Sequence, residues 1–141
     1  MPKSAISPDV IAGYTNTLYG VQTDAPFNFA VGQISAKLGL LMAQHHCVEA
    51  VYLTACNPFS RILSAAENDV RQAELAQSLR RAGFTFIPGT GQGRNTIWPA
   101  EPSFLVLGMA LVAGKKLGRH WEQNAIIWCG ADAMSQLVLL R

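Results

Sequence analysis

The stretch Val48–Arg71, VEAVYLTACNPFSRILSAAENDVR, decides the reading of this chain. Within it, Ala50-Val51-Tyr52-Leu53 is a short apolar run with β-branched and aromatic side chains, which predicts a strand buried on both faces. Thr54-Ala55-Cys56 carries that strand to its end. Pro58 cannot donate to a sheet ladder and biases Asn57 toward extended backbone, so the strand stops there. Ser64-Ala65-Ala66-Glu67 has the spacing of a capping box. A helix then runs to about Ala82, and Gly83 supplies its C-terminal stop.

Within that helix Asn68, Arg71, Leu75, Leu79 and Ala82 share one face. Leu75 and Leu79 must point to the core, so Asn68 and Arg71 continue an inward stripe at the first turns. In a strand–helix unit the helix starts near the carboxyl end of the strand, where open sheets place ligands. Asn57, Asn68 and Arg71 are therefore expected to line one crevice. The structural alternative is that Glu67 only caps the helix and pairs with Arg71, while Asn57 only shapes the turn.

Working outward, the N-terminal residues 1–10 read as a frayed lead-in. Tyr14-Thr15-Asn16-Thr17-Leu18-Tyr19 alternates as a strand whose tyrosines face opposite sides. Ile34, Leu38, Leu41 and Met42 fall at helical spacing between Gly32 and His45. Beyond the central stretch, Phe84-Thr85-Phe86-Ile87 reads as a strand ended by Pro88. Gly89-Thr90-Gly91-Gln92-Gly93-Arg94 follows, with glycines at i, i+2 and i+4 and no helix after them. It lacks the anion-binding mechanism of a phosphate cradle and reads as a loop.

Trp98-Pro99-Ala100-Glu101-Pro102-Ser103 is a second polar knot. It holds a carboxylate on a stiff backbone at the entrance to the buried strand Phe104–Leu107, beside an amphipathic indole. A third helix is expected over Met109–Arg119. Gln123-Asn124 leads into the strand Ala125–Trp128, and Gln136–Leu140 pairs back as a hairpin. Helices interleave with strands, and hairpins also occur. The expected fold is α+β (or α/β): one mixed sheet of about five to six strands packed with three helices.

The 141 residues make one domain, and half of them are apolar, so the chain is globular. Charged residues are 14%, well below the roughly 25% of a typical domain. A surface so poor in charge suits cover by a second subunit, so a homo-oligomer, most simply a homodimer, is expected. The net charge of +2 is too small to point to nucleic acid. The three cysteines form no CxxC and no zinc-finger spacing, so neither a disulfide framework nor a metal site is expected, and no cofactor is implied. Free thiols fit a reducing cytoplasm. No signal-peptide pattern opens the chain. The longest apolar run, Phe104–Gly114, is about half what a membrane span needs.

Four blocks now come together: Thr54-Ala55-Cys56-Asn57-Pro58, Glu67-Asn68, Trp98 through Val106, and Gln123-Asn124-Ala125-Ile126. In this order they resemble the bacterial DUF3293 family, with its T-A-W-N-P elbow, helix-opening E-N pair, W-x-E-x-S-F strand and Q-N-A strand entrance. The resemblance runs from Tyr14 to about Leu139. Cys56 stands where the pattern usually has Trp, and Glu122 where a Gly often precedes Gln-Asn. The family carries no established activity, so the resemblance implies where a site lies more than what chemistry it performs.

Two functional readings result. In the first, a pocket takes a small polar or anionic ligand. Glu101 is the candidate catalytic acid or base, its pKa raised by burial beside Trp98. Arg71 offers a fork for a carboxylate or phosphate. Thr54, Asn57, Asn68, Trp98, Ser103, Gln123 and Asn124 complete the candidate ligand-binding set. Ser103 lacks a GxSxG elbow and no His lies in these blocks, so a Ser–His triad is not expected. In the second reading the same polar residues form a structural network, and the chain is a non-catalytic interaction or self-associating module.

Overall fold

The computed structural model describes residues 4–93 and 99–141. Seven strands form one sheet in the order β2-β1-β4-β5-β3-β6-β7. They are β1 (Thr17–Val21), β2 (Phe27–Phe29), β3 (Ala50–Leu53), β4 (Thr85–Gly93), β5 (Glu101–Leu107), β6 (Ala125–Cys129) and β7 (Ser135–Leu139). Four α-helices accompany them among the described residues: α1 (Pro8–Thr15), α2 (Ala36–Gln44), α3 (Ala65–Arg81) and α4 (Leu111–His120). The class is α+β, with more strands and one more helix than the sequence suggested.

Every strand pairing in the sheet is antiparallel, which corrects the expected mixed sheet. The reason lies in how the crossovers nest. Helix α3 joins β3 to β4, which point the same way, but β5 is inserted between them. Helix α4 joins β5 to β6, and β3 is inserted there. Two split βαβ units thus interlock, giving the connectivity of a ferredoxin-like core. Strands β1 and β2 extend it beyond β4, and β7 extends it beyond β6.

Helices α3 and α4 cover one face, where Leu75 and Leu79 pack against Val51, Val106 and Ile126. The close approach of α4 needs glycine: a Cβ on Gly114 would lie 2.8 Å from Val51, and one on Gly118 would lie 2.6 Å from Leu140. On the opposite face α2 buries Leu38, Leu41 and Met42 against Tyr52, Leu105 and Leu107. Helix α1 lies over the remainder of that face and buries none of its own residues fully. No helix among the described residues is long and apolar enough to cross a membrane.

Three local expectations are corrected. Residues 4–10 are not a frayed lead-in, because Ile6 is buried and α1 begins at Pro8 with Ser7 as N-cap. The strand expected from Tyr14 is the end of α1 followed by β1. Neither does Pro88 end β4, and the glycine-rich segment as far as Gly93 is strand, with Arg94 outside the described residues. Pro88 lacks an N–H, but its carbonyl accepts from Gln22 N at 2.9 Å, and the strand runs through it. Gly89 is required where it stands. A Cβ there would collide with the carbonyl oxygen of Gly20, the same oxygen that accepts from the Tyr52 hydroxyl at 2.8 Å.

Backbone in a central strand cannot retreat as a flexible side chain can. Gly89→Ala is therefore expected to lower stability by about 2–3 kcal/mol in urea unfolding. A loss no larger than a few tenths would show that the two strands are not so tightly apposed.

Candidate functional site

The end of β3 is the organising point. After Leu53 the chain turns through Thr54, Ala55, Cys56 and Asn57 into a 3-10 turn at Pro58–Ser60. Asn57 does not take the extended backbone expected before a proline. It is left-handed, at φ 50 and ψ 68, and Phe59 and Ser60 also have positive φ. Such backbone costs on the order of 1–3 kcal/mol per residue and persists only where the surroundings enforce it.

The enforcement is visible atom by atom. Asn57 N donates to Asn68 Oδ1 at 2.9 Å, and Asn68 Nδ2 donates back to Asn57 Oδ1 at 2.8 Å. Leu63 N donates to the same Asn57 oxygen at 2.9 Å. The remaining amide group, Asn57 Nδ2, donates to Glu101 Oε2 at 2.8 Å. The flanking peptides are held as firmly. Gln72 Oε1 accepts from Ala55 N at 2.9 Å, and Thr54 Oγ1 donates to Pro102 O at 2.6 Å. Gln123 Nε2 donates to Cys56 O at 3.0 Å, joining the elbow to the entrance of β6.

Arg71 belongs to this scaffold. Its Nε donates to Ala55 O at 2.6 Å and its Nη2 to Trp121 O at 2.8 Å. Its third nitrogen lies 3.6 Å from Glu122, and the guanidinium lies 5.4 Å from the Trp121 ring centre. The guanidinium fork expected to face a ligand is therefore spent on backbone carbonyls. Glu67 is spent on the capping box with Ser64 and does not pair with Arg71.

A cavity of about 350 Å³ lies between α1 and the sheet, beside this elbow. Of the residues singled out from sequence, Thr54, Asn57, Glu101, Ser103 and Gln123 line it. Asn68 supports Asn57 from behind. Asn124 is not on the wall: it donates to Ser60 Oγ at 2.8 Å and accepts from Arg141 at 3.0 Å. Trp98 lies outside the described residues. Sequence reading missed the roof residues Asp9 and Tyr14 and the ring-bearing wall residues Tyr19 and Tyr52. Tyr14 and Tyr19 do not face opposite sides. One ends α1, the other lies in β1, and the Tyr19 hydroxyl donates to Tyr14 O at 2.7 Å. Gly91 and Gly93 also line the cavity, and Gly91 pairs with Glu101 across the β4–β5 ladder. A period-two glycine pattern was the available signal for that wall.

Electrostatically the site is dominated by Glu101. Burial pushes its carboxyl up from 4.5 to about 7, against the opposing effect of the Asn57 hydrogen bond. Among the described residues Asn57 is its one side-chain hydrogen-bond donor. Burial likewise pushes the Tyr14, Tyr19 and Tyr52 hydroxyls and the Cys56 thiol upward, so all four remain protonated at neutral pH. No group of three or more metal-ligating side chains forms among the described residues. The arrangement can therefore offer a carboxyl group able to hold or release a proton near neutrality, in a tyrosine-walled cavity.

The fold and site define an antiparallel α+β domain with a polar elbow backing a half-buried acid. A sequence model for the family described as "Protein of unknown function (DUF3293)" matches residues 53–126, from the end of β3 into β6. The chain belongs to the DUF3293 family. No curated protein and no solved structure matches it.

Arg71→Met keeps the aliphatic stem but strands the Ala55 carbonyl, while Trp121 O keeps its bond from Gln123 Nε2 at 3.1 Å. It is expected to cost about 1–3 kcal/mol in chemical denaturation. A change below about 0.5 kcal/mol would place the guanidinium outside the scaffold.

Proposed function

We propose that the cavity beneath α1 is a small-molecule site in which Glu101 donates or accepts a proton. The observation that carries this reading is the Glu101 carboxyl, held by Asn57 at 2.8 Å on the cavity wall with its pKa raised to about 7. A group poised near the working pH is what general acid–base catalysis uses. Burying it is unfavourable for folding, and perturbed acids in cavities cluster at functional sites.

The alternative, a structural network in a non-catalytic module, describes Asn68, Arg71, Gln72 and Gln123 well. Each of them is committed to backbone groups. It does not describe Glu101, which a purely structural design would replace by a neutral side chain. The same division narrows the ligand. Arg71 is committed elsewhere, and the described wall carries carboxylates and no lysine, arginine or histidine. The reading therefore moves away from the anionic ligand that the sequence allowed.

The test uses stability against pH. The folded carboxyl titrates at about 7 and the unfolded one near 4.5, so the folded state binds more protons between those values. Stability is then expected to fall as pH rises through that window and to level off above it. Glu101→Gln removes this dependence. It should match the parent near pH 4.5 and exceed it by about 1–3 kcal/mol above pH 7, while losing the response to a ligand found in a thermal-shift panel. A variant less stable than its parent above pH 7, with ligand response intact, would make Glu101 a structural partner.

A further inference from the structure

We infer that the ligand of this cavity is a small organic cation, an amine or amidine carrying an apolar body. The inference rests on the small-molecule reading of the site and adds the chemical class.

The first observation is an uncompensated acid. Glu101 lies in the wall, Asp9 of α1 lies in the roof, and among the described residues no cationic side chain lines the cavity. The guanidinium groups near the site among the described residues are committed elsewhere. Arg71 holds Ala55 O and Trp121 O. Arg141 holds Asn124 and lies 4.4 Å from the Phe59 ring centre. This local negative character is not a property of the whole chain, whose net charge is +2. A half-buried carboxylate with no counter-ion among its described neighbours is unfavourable, and a ligand cation supplies both charge and hydrogen-bond donors.

The second observation is the aromatic surround. Tyr14, Tyr19 and Tyr52 line the same space as Glu101, and the Tyr19 and Tyr52 rings meet edge to face at 5.4 Å. Their hydroxyls are partly committed, Tyr19 to Tyr14 O and Tyr52 to Gly20 O. What they offer a ligand is ring surface. Ring faces attract ammonium and guanidinium-like groups, and a carboxylate among rings is the recurring design of sites for such cations.

The third observation is what remains for the rest of the ligand. Leu53, Ile127 and Leu137 provide an apolar wall. The volume of about 350 Å³ is near the lower end of the roughly 300–1,000 Å³ range of ligand pockets. A bare metal ion does not fit this description, because among the described residues no three metal-ligating side chains converge here and most of the wall is apolar or aromatic. An amine or amidine with a ring or short chain satisfies all three features.

The experiment compares three probes of one shape and different charge: benzamidine, benzyl alcohol and benzoate. Binding is followed by backbone amide shifts at Gly91 and Gln123. Among the described residues, the titratable groups around Glu101 are Asp9 and Tyr14 from α1, Tyr19 from β1, Tyr52 from β3 and Cys56 from the elbow. Benzamidine is expected to bind at least ten-fold more tightly than either other probe at high pH. Its affinity should weaken by about thirty-fold between pH 8.5 and pH 5.5 as a carboxyl titrating at about 7 is protonated. Glu101→Gln should lose that preference and keep the benzyl alcohol affinity. Asp9→Asn repeats the titration without the roof carboxylate and should keep the same pH dependence. The unmodified protein carries the test even if a variant fails to fold.

Equal or tighter binding of benzyl alcohol or benzoate would overturn the cationic class while leaving a small-molecule site in place. No benzamidine response up to about 10 mM would also overturn it. The site reading itself falls only if a wider panel of cationic, neutral and anionic molecules leaves both amides unmoved.

Discussion

The interaction on which this architecture depends is the pair of hydrogen bonds exchanged between Asn57 and Asn68. Asn57 N and Oδ1 meet Asn68 Oδ1 and Nδ2 at 2.9 and 2.8 Å. This exchange holds a left-handed residue in front of a proline, a conformation the local sequence disfavours. It also fixes the orientation of the Asn57 amide, so that Nδ2 and not Oδ1 faces Glu101. If the amide turned over, its oxygen would oppose the carboxylate. One pair thus sets both the chain path out of β3 and the polarity presented to the Glu101 carboxyl.

A division of labour follows from the hydrogen bonds. Arg71, Gln72 and Gln123 come from two separate parts of the chain and converge on the peptides of Ala55 and Cys56. They give the elbow its rigidity, Gln72 through Oε1 alone, its Nε2 having no partner among the described residues. Thr54, Asn57, Ser103 and Glu101 lie nearer the cavity, where α1 supplies Asp9, Val10 and Tyr14 as roof. The roof is the least buried element of the site, and the floor is a central part of the sheet. Rigidity in the floor and the elbow keeps the Glu101 carboxyl in its apolar surroundings. That burial is the cause of its raised pKa.

Much of this is legible in the sequence. The apolar run Ala50–Leu53, the Ser64–Glu67 capping box and the strands on either side of α4 follow from period and punctuation alone. The polar knots around Asn57 and Glu101, read as two separate stretches, meet in the folded chain, where Asn57 Nδ2 donates to Glu101. The rest depended on distant partners. Arg71 reads as an inward cation, but that it meets Trp121 O, fifty residues on, is set by the packing of α4 and β6. Gly89, Gly91 and Gly93 read as a loop because glycine weakens local strand preference. In the folded chain Gly89 is demanded by the Gly20 carbonyl against it, a contact no local window contains. Helix α1 was signalled by Ser7-Pro8-Asp9, an N-cap followed by proline at the first helical position. The alternating tyrosines after it gave a competing strand pattern. The antiparallel sheet was hidden because βαβ order along the chain does not reveal which strand is inserted between the two it connects.

The central claim is that Glu101 is a half-buried acid with no counter-ion among the described residues, poised near neutrality. A carbon-detected NMR titration of glutamate side-chain carboxyls, with Glu101 assigned by substitution, measures this directly. The account predicts an apparent pKa of about 7 for Glu101 in the ligand-free protein. A midpoint at or below 4.5, the ordinary value for the group, would mean that the carboxylate is solvated or paired, and would contradict it.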